Sequence, residues 1–283
     1  MNREQPEVPS SFPRVDLHSH SHFSDGEHPP QVVAEMGRKA GLAAMALTDH
    51  DCLDGLPAFR EAASGFEPID GVEVSARLDN NDVHILGLFI DAEHDGLRGR
   101  LEGLAETRRE RAHAMIARLR ATGIPVTEDL VRKHAGRGTI GRPHLALALM
   151  ELGAAPTMDE AFRLYLRPRT PGFVPRPGPS PEEVIEWVHE AGGVAVLAHP
   201  GLLRHARWIE GFAEAGLDGL EIWHPKHNAA HRENLLRIAE RLDLVPSGGS
   251  DYHGASVGDS LVGKEPVSLE FVDRLRERRP RRS

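Results

Sequence analysis

Apolar runs of strand length alternate with amphipathic stretches near both ends of the chain. Such runs lie at 15–18, 43–48, 194–198 and 219–223, with helical patterns between them. Two further apolar runs surround Glu73 and His84. Strands that alternate with helices form parallel sheets covered by helices, so the pattern predicts an α/β fold.

The pattern changes at Leu97, where a long amphipathic helix is predicted to run to Ala121. A proline-rich stretch from Thr170 to Pro181 ends the helical region, because proline interrupts helices. We therefore expect a helical insertion within a discontinuous α/β domain. Further helices are predicted at 127–134, 144–152 and 158–166. The expected divisions are an α/β domain at 14–97 and 177–275, an insertion at 98–176 that forms a substrate lid, and flexible tails at 1–13 and 276–283.

Polar side chains gather where the apolar runs end. His18 and His20 close the first run, and Asp25 follows in the next loop. Residues two apart in a strand point to the same face, so both imidazoles can reach one point in space. Because neutral imidazole is the commonest metal-binding side chain, this segment is a candidate metal site.

Similar motifs recur along the chain, and each has a structural reading when it is taken alone. His84 could be a core histidine, Glu73 could pair with a buried arginine, and either Asp49 or Asp51 could cap the next helix. Most of the six motifs lie at or near the carboxyl end of an apolar run, where ligands collect in parallel α/β folds, so together they favour one shared metal site. His84 is the exception, because it lies where its apolar run begins. The further candidate ligands are His50, Glu73, His84, His199, Asp251 and His253.

The order and spacing of these motifs resemble the PHP (polymerase and histidinol phosphatase) superfamily of metal-dependent phosphoesterases. The resemblance extends from about Val15 to about Gly258, and it is greatest to the branch that acts on nucleoside 3′,5′-bisphosphates and trims RNA from its 5′ end. It implies a distorted (β/α)7 barrel that binds three metal ions.

The resemblance also implies how the ligands are shared. One ion would be held by His18, His20, Glu73 and Asp251; a second by Asp25, His50 and His253; and a third by Glu73, His84 and His199. A water that bridges two ions would lose a proton near neutral pH and could attack phosphorus. The expected catalytic residues are Glu73, His199, Asp251 and His253.

The ligand types indicate which metals suit such a site. Histidine and carboxylate ligands without thiolates fit Mn²⁺, Fe²⁺ or Zn²⁺ and disfavour Ca²⁺. We expect three divalent ions, with Mn²⁺ as the first choice.

Charge divides along the same boundary as the helical pattern. The insertion carries 15 Lys and Arg against 8 Asp and Glu, whereas the whole chain has a net charge of −9. A basic lobe beside a metal site suits an anionic substrate. Arg142 starts a helix in the insertion, and an arginine there can bind a phosphate in bidentate fashion. His227 and Lys226 are the other expected substrate-binding residues.

Two other functions fit the metal ligands. A histidinol-phosphate phosphatase would use the same metal chemistry, although a small amino alcohol phosphate needs no large basic lid. A non-catalytic PHP module would not need the complete ligand set. The expected substrate is a nucleotide or short RNA, and nothing in the sequence requires an obligate protein partner.

Composition limits where the chain is expected to work. Cys52 is the single cysteine, so no intrachain disulfide can form. No apolar run has the roughly 20 residues needed to span a bilayer. The first 13 residues lack the apolar stretch of a signal peptide. A cytoplasmic location with no membrane association is expected.

Overall fold

The strands of the protein join into one sheet. The computed structural model describes residues 12–79, 81–135, 140–175, 177–254 and 260–280. Over these residues eight strands pair in the order β7-β6-β5-β4-β3-β2-β1-β8. They are β1 Arg14–Asp16, β2 Ala44–Leu47, β3 Glu67–Leu78, β4 Asn81–Leu88, β5 Val194–Leu197, β6 Gly219–Trp223, β7 Val245–Gly248 and β8 Val267–Ser268.

β7, at one end of this sheet, meets the residues that follow β1 and almost closes a barrel. The Leu17 N–H, just after β1, donates to the Gly248 carbonyl of β7 at 3.1 Å, and the Asp251 N–H donates to the His18 carbonyl at 2.8 Å. A further bridge joins Ser19 to Tyr252. The expected distorted barrel is therefore confirmed, and its seam lies beside the predicted His18–His20 site.

Two of the eight strands, β4 and β8, run antiparallel to the strands they pair with. β1, β2 and β3 are mutually parallel, as are β5, β6 and β7. β4 is antiparallel to both of its neighbours, β3 and β5. The beginning of β4 therefore lies at the barrel edge where the parallel strands end, which brings His84 to the same edge as the other candidate ligands.

The core has an inner and an outer layer, because alternate residues of a strand face opposite sides of the sheet. Ala44 and Ala46 of β2 pack inside the barrel with valines from β5 and β7. Met45 and Leu47 point outward and pack against Val33 and other helical side chains. The helices of the barrel are α1 Pro30–Lys39, α2 Leu56–Ala62, α7 Pro181–Glu190, α8 Trp208–Glu214, α9 Ala229–Arg241 and α10 Leu269–Glu277.

The region expected to be an insertion is helical and has its own core. It comprises α3 Asp95–Ala121, α4 Glu128–Ala135, α5 Arg142–Glu151 and α6 Met158–Ala161, followed by a π-helical turn at Phe162–Leu166. The first turns of α3, with Leu97, pack into the outer core of the barrel. Its last turns, with Met115 and Leu119, pack into the separate helical core. One continuous helix therefore belongs to both parts.

The expected tails fall mostly outside the described residues, at 1–11 and 281–283, as does Arg176 at the expected boundary of the insertion. Within the described part, α10 continues to Glu277, and Arg276 binds the Glu67 carboxylate. None of the described helices combines the length and the apolar character that crossing a bilayer requires.

The seam of the barrel depends on a close approach at Gly249. A Cβ built there would lie 2.4 Å from the His18 backbone nitrogen, so Gly249→Ala should destabilise the protein by about 1–3 kcal/mol. Gly103→Ala is the matched control, because a Cβ on that α3 glycine meets nothing within 4 Å and should stabilise the helix by about 0.5–1 kcal/mol. Urea unfolding of both metal-free variants measures the two effects. Equal stabilities for both variants would contradict a tight seam.

Candidate metal centre

The histidine pair at the end of β1 faces two carboxylates. His18 and His20 are fully buried, and the Nε2 atom of each lies 3.2 Å from Glu73 Oε2. Their distances to Asp251 Oδ1 are 3.4 and 3.3 Å. One ligand atom from each of the four residues lies within 4.8 Å of the others, close enough to share one ion.

A second group surrounds Asp25 in the loop after β1. His253 Nε2 lies 3.2 Å from Asp25 Oδ1, and His50 Nε2 lies 3.9 Å from it. His20 is also within reach of this group, so it stands between the first and second sets of donors.

The third group gathers around the other oxygen of Glu73. His84 Nδ1 lies 2.7 Å and His199 Nε2 lies 3.0 Å from Glu73 Oε1. His50 contacts the same carboxylate through Nδ1, 3.1 Å from Oε2. Glu73 therefore presents one oxygen to the first group and the other to the third. Five of the other eight expected ligands, all histidines, contact this carboxylate, and Asp25, Asp251 and His253 lie beyond them in the same cluster.

Backbone conformation turns two of these side chains inward. His199 and Asp251 follow β5 and β7 and adopt left-handed backbone angles, with φ of 32° and 48°. Non-glycine residues enter this region at a cost that surrounding contacts must offset, and such residues cluster at functional sites. The left-handed turns redirect the chain at the strand ends, where the side chains meet the ligands from β1 and β3.

The electrostatics of the centre suit divalent cations. Burial favours the neutral acid, but the neighbouring imidazoles hold the pKa values of Asp25, Glu73 and Asp251 well below their ordinary range, so three carboxylates remain ionised. Burial lowers the pKa of His50 to about 3 and keeps it in the neutral form that binds metals. Buried nitrogens of His20, His50 and His84 have no hydrogen-bond partner, as expected for atoms that coordinate an ion.

The two aspartates beside His50 have different roles. Asp49 accepts hydrogen bonds at 2.7 Å from the Ser21 N–H and from the Ser24 hydroxyl, and so fixes the loop that carries Asp25. Asp51 accepts the Ser75 N–H at 2.7 Å. The expectation that one of them caps the next helix is wrong, because Gly55 precedes α2 and no side chain caps it.

An arginine from the insertion reaches the metal centre. Arg108 Nε donates to Asp51 Oδ2 at 2.7 Å, and its Nη2 donates to the Ser75 hydroxyl. Burial opposes the charged form, but Asp51 and Asp25 raise the pKa of Arg108, so it is a permanent cation. Sequence reasoning missed this residue, because it lies on α3 among many arginines and nothing local marks it.

A pocket opens between the metal centre and the insertion. Its lining includes Asp25, His50 and His84 of the metal centre and Arg108, Arg111 and Arg142 of the insertion.

Of the three expected substrate-binding residues, Arg142 alone lines this pocket. It donates to Asp82 Oδ2 at 3.0 Å and lies over the Phe162 ring. Lys226 is exposed. His227 is buried, its Nδ1 donates to the Ile222 carbonyl at 2.9 Å, and its Nε2 accepts the Gly201 N–H at 3.1 Å. Both nitrogens of His227 therefore bind backbone and leave none for a substrate.

Two further residues at the centre escaped the sequence analysis. Glu221 of β6 is fully buried and lies 2.9 Å from His18 Nδ1. His224 is also buried, with Nε2 3.1 Å from Asp251 Oδ2. Its Nδ1 accepts the Lys226 N–H, so Nε2 carries the proton and donates to Asp251. The sequence carried a signal for both, since Glu221 lies within the apolar run at 219–223 and His224 directly follows it.

Comparison with known proteins is consistent with this geometry. A family model described as the PHP domain matches residues 16–135. The chain is 38% identical over 257 residues to the 3′,5′-nucleoside bisphosphate phosphatase of Chromobacterium violaceum, covering 88% of this chain and 90% of the relative. It is 34% identical to the 5′-3′ exoribonuclease Rnm of Salmonella typhimurium, with 84% of both chains covered. An inferred metal-dependent phosphoesterase from Bifidobacterium adolescentis superposes with a TM-score of 0.87 and 34% identity over 97% of this chain and 98% of the other.

Metal binding should stabilise the folded protein, because the converging donors exist only in the native state. Mn²⁺ at about 100 times its dissociation constant should add about 2.7 kcal/mol of stability, read as a higher Tm after removal of bound metal with EDTA. Glu73→Gln should lose most of this gain, because a neutral amide replaces the shared carboxylate. Glu214→Gln, which removes one exposed negative charge, should keep it. An identical Mn²⁺ response in Glu73→Gln and wild type would contradict the central position of Glu73.

Proposed function

The chain belongs to the PHP family of metal-dependent phosphoesterases, and on that basis we propose that it hydrolyses phosphate esters of nucleotides. The proposed substrates are nucleoside 3′,5′-bisphosphates and the 5′ end of short RNA, which is degraded in the 5′-to-3′ direction. The relatives named for these two activities each align over more than four-fifths of the chain. The observation that carries the proposal is the Glu73 carboxylate, which is shared between two groups of imidazoles. Two of these imidazoles, His50 and His84, line a pocket that also contains three arginines.

The proposed centre holds three divalent ions, with Mn²⁺ as the first choice. The residues that would hold them are His18, His20, Glu73 and Asp251 for one ion, Asp25, His50 and His253 for another, and Glu73, His84 and His199 for the third. When bound, the ions would supply positive charge to the phosphate oxygens and lower the pKa of the attacking water. The chain itself supplies ionised carboxylates and the neutral imidazole of His50 at fixed positions.

The arginines of the pocket supply the binding of a second phosphate. Arg108 is held by Asp51 and Ser75, so its guanidinium is already oriented before a substrate binds. Arg111 is fixed in part by donation to the Val174 carbonyl at 2.8 Å. Arg142 is paired with Asp82 and is 28% exposed, so a phosphate can compete for its remaining donors. We therefore assign the insertion, at about 98–176, the role of a lid that recognises the phosphate that is not cleaved.

Two features of the pocket favour a nucleotide over histidinol phosphate. Three arginines line it, whereas a substrate with a single phosphate needs fewer cations. The insertion also places apolar side chains there, including Met115, Ile140 and Phe162, which suit a sugar or base better than a charged amino alcohol. A non-catalytic role is disfavoured, because no expected ligand is replaced by a non-coordinating residue.

A phosphate-release screen tests the substrate class. With Mn²⁺, the protein should act on 3′,5′-bisphosphates and on 5′-phosphorylated RNA with a higher kcat/KM than on histidinol phosphate or an aryl phosphate. EDTA should abolish release and Mn²⁺ should restore it, because no side-chain nucleophile is assigned. Full activity in the chelated protein would reject the metal centre, and a preference for histidinol phosphate would reject the nucleotide assignment.

Arg142→Ala separates recognition of the second phosphate from the hydrolytic chemistry. A charge-assisted bidentate contact contributes about 1.5–3 kcal/mol, so kcat/KM for a bisphosphate should fall roughly 10–150-fold. An aryl phosphate has no second phosphate, so the kcat/KM for that substrate should fall little. Arg120→Ala, which removes an exposed positive charge from α3, should leave kcat/KM for both substrates unchanged.

His199→Ala is the complementary variant and should impair both substrates alike, because His199 lies at the metal centre. Steady-state kinetics of the variants on both substrates decide the assignment. Equal losses on the two substrates for Arg142→Ala would show that Arg142 does not select for the second phosphate.

A further inference from the structure

One buried carboxylate at the centre is not among the expected ligands. Glu221 lies on β6, between the strands that carry His199 and Asp251, and its side chain is fully buried. Its two oxygens contact two different ligand residues. Oε1 lies 2.9 Å from His18 Nδ1, and Oε2 accepts the backbone N–H of His199 at 2.5 Å.

The contact with His18 fixes which ring nitrogen can bind a metal. An ionised carboxylate only accepts hydrogen bonds, so Nδ1 of His18 carries a proton and donates it to Glu221. Nε2, which lies 3.2 Å from Glu73 Oε2 and 3.4 Å from Asp251 Oδ1, is then the nitrogen that would give up its proton to coordinate an ion. The other tautomer would place a proton on the nitrogen that has to coordinate. Carboxylates that orient metal-binding histidines in this way strengthen metal binding.

The contact with His199 fixes the backbone that carries a second ligand. His199 has φ 32° and ψ 53°, in the left-handed region that is unfavourable for a side chain with a Cβ. Acceptance of its N–H by Glu221 stabilises this turn, which directs His199 Nε2 to within 3.0 Å of Glu73 Oε1. His18 belongs to the first group of donors and His199 to the third.

We propose that Glu221 is a positioning residue, which holds His18 in its coordinating tautomer and His199 in its coordinating orientation, so that it links two metal sites without binding a metal itself. The inference rests on the proposed metal centre and goes beyond it, since it assigns a function to a residue outside the ligand set.

The same strand offers a matched control. Asp218 lies just before β6. Its Oδ2 is 2.7 Å from His189 Nε2 and accepts a hydrogen bond from the backbone N–H of Ala195 at 2.8 Å. It therefore also binds one imidazole and one backbone N–H near β5, but at the opposite end of β6, away from the metal centre. Glu221→Gln and Asp218→Asn each remove one negative charge from a carboxylate that accepts hydrogen bonds from one imidazole and one backbone N–H, although Asp218 accepts both at Oδ2 and Glu221 uses both oxygens.

The test measures Mn²⁺ affinity by competition with a chelator, together with the Tm of the metal-free proteins. Glu221→Gln should weaken Mn²⁺ binding by roughly 10–100-fold, because the amide can accept only one of the two donors and presents its own N–H to the other. Asp218→Asn should leave the Mn²⁺ affinity unchanged, whatever its effect on the metal-free Tm. Glu221→Asp keeps the charge but is too short to reach both donors, so it should weaken binding as well, and it serves if the Gln variant does not fold.

Each result bears on the inference. Wild-type affinity in the Glu221 variants, or an equal loss of affinity in Asp218→Asn, would overturn it while the metal centre stands. A wild-type protein that binds no Mn²⁺ would overturn the proposed centre and this inference together. Weak binding confined to Glu221 variants supports the positioning role.

Discussion

The structure depends on keeping one ionised carboxylate, Glu73, inside the protein. A buried charge is tolerated only when opposite charges and hydrogen bonds surround it. Here imidazoles from several strand ends face its two oxygens. These imidazoles stabilise the charge of Glu73 and are themselves oriented as metal ligands. The closure of the barrel, the left-handed turns at His199 and Asp251, and the fixed loop before Asp25 all place donors around this carboxylate.

The reversal of β4 is the structural departure that completes the centre. In a barrel of parallel strands alone, a residue at the start of a strand lies at the edge opposite the ligands. Because β4 runs antiparallel to β3 and β5, His84 lies beside Ala198 at the end of β5. The Ala198 N–H donates a hydrogen bond to the His84 carbonyl at 3.0 Å. The single motif that did not fit the strand-end rule in the sequence is therefore explained by strand direction.

Motifs at strand ends made the candidate ligands and the α/β class predictable, since their periodicity is short and local, whereas the barrel and the division of the ligands into groups followed from the family resemblance. Residues that act through distant partners were not predictable. Arg108 becomes important only when α3 brings it to Asp51, 57 positions earlier in the sequence, and Glu221 only when β6 lies near β1. His227 shows the converse. Its sequence context indicated substrate binding, but both ring nitrogens form hydrogen bonds with the backbone of Ile222 and Gly201. The spacing of residues along a strand predicts which side chains point to the same face. Contacts between residues on different strands of the barrel can be identified only from the three-dimensional structure.

The shared membership of α3 in two cores has a mechanical consequence. Leu97 anchors one end in the barrel and Leu119 anchors the other in the helical lobe, and the 27 residues between Asp95 and Ala121 span about 40 Å. Arg108 and Arg111 lie in the middle of this rigid element. Movement of the lobe relative to the barrel would require α3 itself to bend or unwind. The helix therefore fixes the distance between these two arginines and the metal ligands. Loss of the lobe during evolution would also leave apolar side chains of the barrel exposed to water, which makes the two parts difficult to separate.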